Sequence, residues 1–205
     1  MNLNDLLGLT EVINAAGSIT PLGVSRSSPA VAAATADALS RFFVIDELQG
    51  RASVALARAT GAEAGAVVHC ASAGITLAIA AAIAGTSAEA GGALPETRGG
   101  PSHGVIPAGH VVDYGHTILQ DIRLAGATPV VVGSESGCGV AEIEAALASP
   151  GAACLLLVSS RLTRGAPIDL AAAVAAARAR GVLTVIDGAA QALRGRALGE
   201  TRGDL

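Results

Sequence analysis

Short apolar runs alternate with amphipathic segments along the second half of the 205-residue chain. Runs rich in Val, Leu and Ile predict strands at residues 128–133, 153–160 and 182–187, and a shorter one around Val105. Apolar residues at helical spacing predict helices near residues 118–126, 140–148 and 169–181. Apolar strands that alternate with helices predict an α/β fold, in which a mostly parallel sheet carries helices on both faces.

Two helices are predicted near the N-terminus from their start and stop signals. Ser28 can cap a helix that has Pro29 at its first position, and this helix is expected to run to about Arg41. A second helix is expected to start at Asp46 and to stop at Gly61. The residues before Ser28 are rich in Gly, Ser and Pro, which predicts an irregular segment over residues 1–27.

The middle of the chain predicts a strand, a turn and a helix in succession. Residues 65–70, "GAVVHC", are expected to form a short strand that turns through "ASAG" into an apolar helix ending near Gly85. Residues 86–104 have the turn composition of an exposed loop.

Composition and charge exclude several classes of partner. The net charge is −4 and no basic run is present, which argues against nucleic acid and against membrane surfaces. The longest apolar stretch, residues 73–85, is too short to span a bilayer. No secretory signal is visible, so a cytoplasmic location is expected. The three scattered Cys residues predict small buried side chains rather than disulfides or metal ligands.

A small-residue turn at Ser72, Ala73 and Gly74 leads into the apolar helix. Backbone N–H groups at a helix start, together with the helix dipole, favour a phosphate group there. An ordinary tight turn is an equally good interpretation. The turn is neither a P-loop nor a G-x-G-x-x-G fingerprint, which weakens both common nucleotide interpretations.

The segment "AGHVVDYGH" places His110, Asp113, Tyr114 and His116 in one polar patch. A His beside a cofactor ring can stack on it, donate to it or move protons. A metal site that includes His103 is a competing interpretation, but the irregular spacing of the His residues argues against it. A surface loop explains most of these side chains equally well.

Asp187 ends the apolar strand "VLTVID" and has three possible roles. A ribose-binding acid should follow a glycine fingerprint, and none precedes it. A helix cap needs a helix, and the following "GAAQALRGRALG" is a weak helix candidate. A carboxylate at a strand end can instead pair with the ring nitrogen of pyridoxal phosphate, which keeps the ring an electron sink.

The segments "VINAAGSITPLGVSRSSPAV", "AGHVVDYG", "IRLAGATPVVVG" and "GVLTVIDGAAQ", together with "IDELQGRASVALARATGAEAGAVVHCASAGITLAIAAAIAG", occur in an order that resembles one known family. It is the selenocysteine-synthase-like group of fold-type I pyridoxal-phosphate enzymes, which includes seryl-tRNA(Sec) selenium transferases and D-glucosaminate-6-phosphate ammonia-lyases. The resemblance runs from about residue 11 to the last residue.

The resemblance implies roles for particular residues. Ser72, Ala73 and Gly74 would hold the phosphate of pyridoxal 5′-phosphate, His110 would lie against the ring, and Asp187 would pair with the ring nitrogen. Arg26 and Arg123 are weaker candidates for anionic groups of the substrate, since a structural or solvated role fits each at least as well. Residues 28–205 would form an incomplete pyridoxal-phosphate-binding large domain, the N-terminal part of an aspartate-aminotransferase-like fold.

The chain contains no Lys, since all 13 basic residues are Arg. In this family the Schiff-base Lys follows a "GADL" stretch, and the chain ends at "RGDL", residues 202–205. We therefore expect the catalytic Lys to lie beyond Leu205 and the isolated polypeptide to be inactive.

The short segment before "VINA" and the acidic charge disfavour a tRNA substrate. They favour a lyase that acts on a small amino acid or amino-sugar acid by β-elimination or ammonia release. The resemblance also implies that a complete protein would be a homodimer or larger. The alternatives are a selenium transferase proper, a non-catalytic α/β binding module and a nucleotide-binding domain.

Overall fold

The structure is a computed structural model that describes residues 3–189. Internal contacts divide the chain into two compact units, residues 1–48 and 49–205. The expectations for the weak helix candidate beyond Ala189 and for the "RGDL" end lie outside the described residues. The predicted domain division at residues 27 and 28 stays a prediction.

The N-terminal unit contains short helices joined by irregular chain. Helix α1 spans Leu3–Leu7 and a single 3-10 turn spans Thr20–Leu22, both inside the segment predicted to be irregular. Helix α2 spans Pro29–Leu39, and the hydroxyl of Ser28 accepts a hydrogen bond from the amide of Val31 at 3.3 Å. This capping confirms the predicted helix start, since a side-chain acceptor satisfies one of the free amides of the first turn.

The strand predicted at residues 65–70 is wrong. Helix α3, Ile45–Thr60, precedes this segment, and no residue from 61 to 70 pairs within the described sheet. The side-chain amide of Gln49 instead brackets Val67, donating to its carbonyl at 3.1 Å and accepting from its amide at 3.3 Å. Side chains of α3 thus satisfy the backbone groups that a neighbouring strand would otherwise have satisfied.

The remaining elements belong to the second unit and alternate along the chain. After helices α4, Ala71–Ala84, and α5, Ala88–Ala93, the order is β1, α6, β2, α7, β3, α8 and β4. The strands are β1 His103–Pro107, β2 Thr128–Val132, β3 Ala152–Val158 and β4 Leu183–Asp187. The helices between them are α6 Ile118–Leu124, α7 Val140–Leu147 and α8 Leu170–Ala179. These positions agree with the sequence prediction to within about two residues, the usual uncertainty of element boundaries.

The loop predicted over residues 86–104 is only partly a loop. Helix α5 lies inside it, and the hydroxyl of Ser87 caps this helix by accepting from the amide of Ala90 at 3.2 Å. The Ala and Gly residues of α5 gave no apolar periodicity, so the capping Ser was the only sequence signal. In the described residues, 3–189, no helix combines the length and the apolar character needed to cross a membrane.

The four strands form one parallel sheet in the order β2-β1-β3-β4. The chain runs from β1 to β2 on one side and then crosses to β3 on the other side of β1. The strand order therefore reverses between β1 and β3, and in open α/β sheets ligands bind at the carboxyl ends of the strands beside such a point.

Two apolar clusters cover the two faces of this sheet. Helices α4 and α6 pack on one face, with core side chains that include Ile79, Ile122, Ile106 and Leu156. Helices α7 and α8 pack on the other face, with core side chains that include Ile143, Val174, Val105 and Leu155. Neighbouring strand residues point to opposite faces, as alternation along a strand requires. The predicted α/β class, with helices on both faces of a parallel sheet, is confirmed.

Replacement of Leu156 by Ala tests the central strand of this core. Leu156 is fully buried, so Leu156→Ala should lower the free energy of unfolding by about 2–5 kcal/mol in a denaturant titration. The matched control is Leu124→Ala at a side chain that is 63% exposed, where a change within about 0.5 kcal/mol is expected. Equal effects of the two substitutions would contradict the assigned core.

Candidate functional site

His110 lies at the point where the strand order reverses. A short 3-10 turn, Ala108–His110, follows β1 and buries the imidazole, whose Nδ1 accepts a hydrogen bond from the amide of Val158 in β3 at 3.0 Å. Burial lowers the pKa of His110, so the ring is neutral at neutral pH. Because Nδ1 accepts this hydrogen bond and carries no proton, the ring proton of the neutral form is on Nε2.

Gly109 fixes the turn that carries His110. The carbonyl of Gly109 accepts a hydrogen bond from the amide of Arg164 at 2.8 Å. A Cβ atom at position 109 would collide with the carbonyl oxygen of Arg164. Only glycine allows the backbone after β1 to approach the loop after β3 this closely.

Asp187 ends β4 at the same edge of the sheet. It is paired in register with Val158, and its carbonyl accepts from the amide of Ser159 at 2.8 Å. Burial raises the pKa of Asp187, and the charge of Asp121 raises it further, whereas the hydrogen bond from the amide of Ala189 at 3.0 Å opposes the shift. The carboxylate is therefore held in a place that lacks full hydration and already contains another acid.

The start of α4 faces this edge as well. Ser72, Ala73 and Gly74 form its half-buried first turn, and the thiol of Cys70 caps the turn by accepting from the amide of Ala73 at 3.5 Å. The turn follows irregular chain rather than the predicted strand. It is nevertheless a helix start of the expected kind, with small residues and the positive end of the helix dipole, and the amide of Gly74 donates to the carbonyl of Cys70 at 3.1 Å.

Asp121 is the site residue that the sequence reasoning missed. Its side chain is fully buried on α6, yet one of its oxygens, Oδ1, accepts from the hydroxyl of Ser72 at 2.6 Å and lies 2.9 Å from Nε2 of His116. Its other oxygen, Oδ2, accepts from the phenol of Tyr114. A sequence signal existed, because Ile118, Asp121, Ile122 and Ala125 share the spacing of one buried helix face.

The phenol of Tyr114 interacts with the acidic groups at this edge of the sheet. Burial raises the pKa of its phenol, and so do the hydrogen bond to Asp121 and the negative charges of Asp121 and Asp187. The ring meets the ring of His116 edge to face, with centroids 4.8 Å apart. The phenol is therefore held as a neutral donor beside Asp121 and is poorly suited to proton transfer.

Ser72, His116 and Asp121 have the composition of a nucleophilic triad without its geometry. In such a triad one nitrogen of the His contacts the Ser and the other contacts the Asp. Here the same Nε2 atom of His116 is 2.9 Å from Asp121 and 3.3 Å from the hydroxyl of Ser72. The hydroxyl also donates to Asp121 directly, so His116 is not placed as the base of a Ser-His-Asp triad.

Some of the predicted site residues lie at the carboxyl edge of the sheet and others do not. The residues at this edge are Ser72, Ala73, Gly74, His110 and Asp187. Arg123 is exposed and lies two positions after Asp121 on α6, which directs it away from the buried face. Arg26 is exposed in the N-terminal unit. Among residues 3–189 no group of His, Cys, Asp and Glu side chains could hold a metal ion.

An apolar parallel sheet with helices on both faces and polar side chains at its carboxyl edge defines an α/β protein, and this edge is where open α/β sheets bind ligands. No family model matches the chain. The chain is 37% identical over 190 residues to D-glucosaminate-6-phosphate ammonia lyase of Salmonella typhimurium, with 93% of the chain and 52% of that protein covered. It is 35% identical to a 5′-C-glycyluridine monooxygenase-decarboxylase of a Streptomyces species, with 90% and 47% covered.

A solved structure of D-glucosaminate-6-phosphate ammonia-lyase superposes on the whole chain with a TM-score of 0.90 and 36% identity, and 55% of that chain is covered. The chain is thus a homologue of this ammonia-lyase and shares its fold, which confirms the resemblance seen in the sequence. It spans about half the length of the curated relatives that it matches.

The single tyrosine of the chain allows a direct test of the site's electrostatics. In the folded protein, phenolate absorbance should be absent near pH 10, the usual pKa, whereas the denatured chain should titrate there. Asp121→Asn should bring the folded titration back toward pH 10, because it removes the carboxylate that raises the pKa. A normal phenol titration in the folded wild type would contradict the cluster.

The same shift predicts how stability depends on pH. Folding raises the pKa of the Tyr114 phenol. The contribution of this side chain to the free energy of unfolding is therefore fully present below about pH 10, where the phenol is protonated in both the folded and the unfolded chain. Above about pH 10 the unfolded chain loses the proton and the folded chain keeps it, so the free energy of unfolding should fall with rising pH. Tyr114→Phe should flatten this fall in denaturant titrations, and an unchanged slope would contradict the assignment.

Proposed function

We propose that this chain is the cofactor-binding part of a pyridoxal 5′-phosphate-dependent enzyme that acts on a small amino substrate. The reaction class is β-elimination with release of ammonia. The proposal is supported by homology to D-glucosaminate-6-phosphate ammonia-lyase, whose name describes removal of ammonia from a phosphorylated amino-sugar acid. An amino acid or amino-sugar acid is therefore the proposed substrate class.

The observation that carries the proposal is the position of Asp187. Its half-buried carboxylate ends β4 and, among the described residues, has only the amide of Ala189 as a hydrogen-bond donor. A partly desolvated carboxylate with one such donor is complementary to a cationic ring nitrogen, because the cation would offset the loss of hydration. The Asp187 carboxylate therefore fits the protonated ring nitrogen of pyridoxal 5′-phosphate.

The other residues of the edge fit the remaining parts of the same molecule. The first turn of α4, at Ser72, Ala73 and Gly74, suits a phosphate dianion through the positive end of the helix dipole and the amide of Ser72, whereas the amide of Gly74 donates to the carbonyl of Cys70. The buried neutral imidazole of His110 offers a flat face and an Nε2 proton to an aromatic ring or its substituent. These three contacts would orient the cofactor without a covalent bond, and orientation is the protein's share of such catalysis.

The bound cofactor supplies an electron sink for the negative charge that forms when the substrate loses its α-proton. Asp187 would hold the proton on the ring nitrogen and so keep that sink effective. His110 would restrict water at one side of the ring. The first turn of α4 would retain the phosphate while the reacting end of the molecule changes. Arg26 and Arg123 stay weaker proposals for anionic substrate groups.

The test uses 4-deoxypyridoxine 5′-phosphate, which lacks the aldehyde and therefore measures the site without any contribution from a Lys. Calorimetric titration of the purified chain should detect saturable binding at one site. Asp187→Asn keeps the size and the contact to Ala189 but removes the charge. It should weaken binding by about 10- to 100-fold, the worth of a hydrogen bond to a charged group.

The matched control for this experiment is Asp113→Asn. Asp113 is an exposed acid whose carboxylate accepts only from the amide of Gly115 at 2.9 Å among the described contacts, and Asn can keep that bond. Binding should change by less than about 2-fold, as for other surface substitutions. Absence of binding to the wild type, or equal binding by wild type and Asp187→Asn, would overturn the proposal.

A further inference from the structure

The loop that follows β3 is joined to the chain on both sides of the candidate site. At its start, the amide of Ser159 donates to the carbonyl of Asp187 at 2.8 Å. Further along, the amide of Arg164 donates to the carbonyl of Gly109, the residue before His110, at 2.8 Å. Because β3 lies between β1 and β4, this loop leaves the sheet at the point where the strand order reverses.

Hydrogen bonds inside this loop order the backbone on both sides of Arg161. The hydroxyl of Ser160 accepts from the amide of Leu162 at 3.2 Å, and the hydroxyl of Thr163 donates to the carbonyl of Ser160 at 2.9 Å. Turns of this kind, in which a Ser hydroxyl accepts from the amide two residues later, give a loop a defined backbone conformation. Arg161 therefore extends an exposed side chain from an ordered turn beside the candidate site.

The carboxyl edge of the sheet carries negative charge and few cations. Burial raises the pKa of Asp187, and the nearby charge of Asp121 raises it further. Arg123 does not compensate these acids, because it belongs to the last turn of α6, close to the start of β2 at the opposite edge. In the loops that follow β1, β2 and β3, Arg occurs only at positions 161 and 164. These loops are residues 108–117, 133–139 and 159–169.

The two Arg residues of the loop after β3 differ in their partners. The guanidinium of Arg164 lies 3.5 Å from the carboxylate of Glu135, which belongs to the loop after β2. Among residues 3–189, the side chain of Arg161 forms no ion pair. A planar guanidinium can bind both oxygens of a carboxylate through two parallel hydrogen bonds. Arg161 is thus the better candidate of the two to bind an anionic group of a ligand.

We propose that Arg161 determines substrate specificity at this site by binding the carboxylate of the amino substrate. The inference rests on the proposed function and deepens it, because it names the group that recognises the acid end of an amino acid or amino-sugar acid. Such a substrate brings a carboxylate to an edge that already holds acids, and a guanidinium offsets their repulsion. Arg161 contributes binding and orientation, and no bond is made or broken at it.

The experiment uses two inert conjugates that differ only by the carboxylate. N-(5′-phosphopyridoxyl)serine, tested as both enantiomers, carries this group, and N-(5′-phosphopyridoxyl)ethanolamine lacks it. Both have a reduced carbon–nitrogen bond, so neither reacts and neither needs a Lys. Calorimetric titration of the purified chain gives the ratio of the two dissociation constants, in which changes at the cofactor contacts cancel. The wild type should prefer one serine conjugate by about 10- to 100-fold, the worth of hydrogen bonds between charged groups.

Three variants assign this preference to a residue. Arg161→Gln should remove most of it while the affinity for the ethanolamine conjugate stays within about 2-fold of wild type, because Arg161 is exposed. Arg161→Lys keeps the charge without the planar fork and should keep part of the preference. The matched control, Arg164→Gln, removes the same charge from the same loop. It should leave the ratio within about 2-fold of wild type, because an exposed ion pair contributes little.

The outcomes separate this inference from the proposed function. Equal binding of the two conjugates by the wild type, or an unchanged preference in Arg161→Gln, would overturn the role of Arg161 alone. An equal loss of preference in Arg164→Gln would also overturn it, because the effect would then be one of general charge. Binding of 4-deoxypyridoxine 5′-phosphate without binding of either conjugate would do the same. If the wild type bound none of the three probes, the proposed function would fail together with the inference.

Discussion

The carboxylate of Asp121 has no contact with bulk water, and a buried charge is tolerated only where donors replace the water. Ser72, Tyr114 and His116 are those donors, and together they fix the start of α4 and the loop after β1 relative to α6. Leaving this charge unmatched would cost its desolvation, so the three donors restrict where these segments can lie. The candidate site is built around this constraint.

Parallel strand order supplies the second requirement of the site. In the parallel order β2-β1-β3-β4, the carboxyl ends of β1, β3 and β4 lie at one edge of the sheet, which brings His110, Val158 and Asp187 together. Val158 and Asp187 are paired within the sheet, whereas His110 lies in the turn after β1 and is held by the hydrogen bond that its imidazole accepts from the amide of Val158. A site built in this way can keep its geometry while the surrounding loops change, since strands place side chains more rigidly than loops do.

The sequence predicted the alternating elements, the α/β class and three places at the sheet edge, the turn at residues 72–74, His110 and Asp187, because apolar periodicity and strand ends are local signals. It failed at residues 65–70, where an apolar run resembles a strand but the side chain of Gln49 satisfies the backbone. It also missed Asp121, since an acid on an apolar helix face has no meaning until its donors, 5 to 49 residues away in sequence, are known to converge on it. Long-range polar partners cannot be deduced from periodicity.

The central claim is that the carboxyl edge of this sheet binds pyridoxal 5′-phosphate through Asp187 and the first turn of α4. A crystal structure of the protein grown with the cofactor tests it most directly. The account predicts the ring nitrogen within hydrogen-bonding distance of the Asp187 carboxylate and the phosphate at the first turn of α4, at Ser72, Ala73 and Gly74. A cofactor bound elsewhere, or one whose ring nitrogen faces away from Asp187, would contradict it.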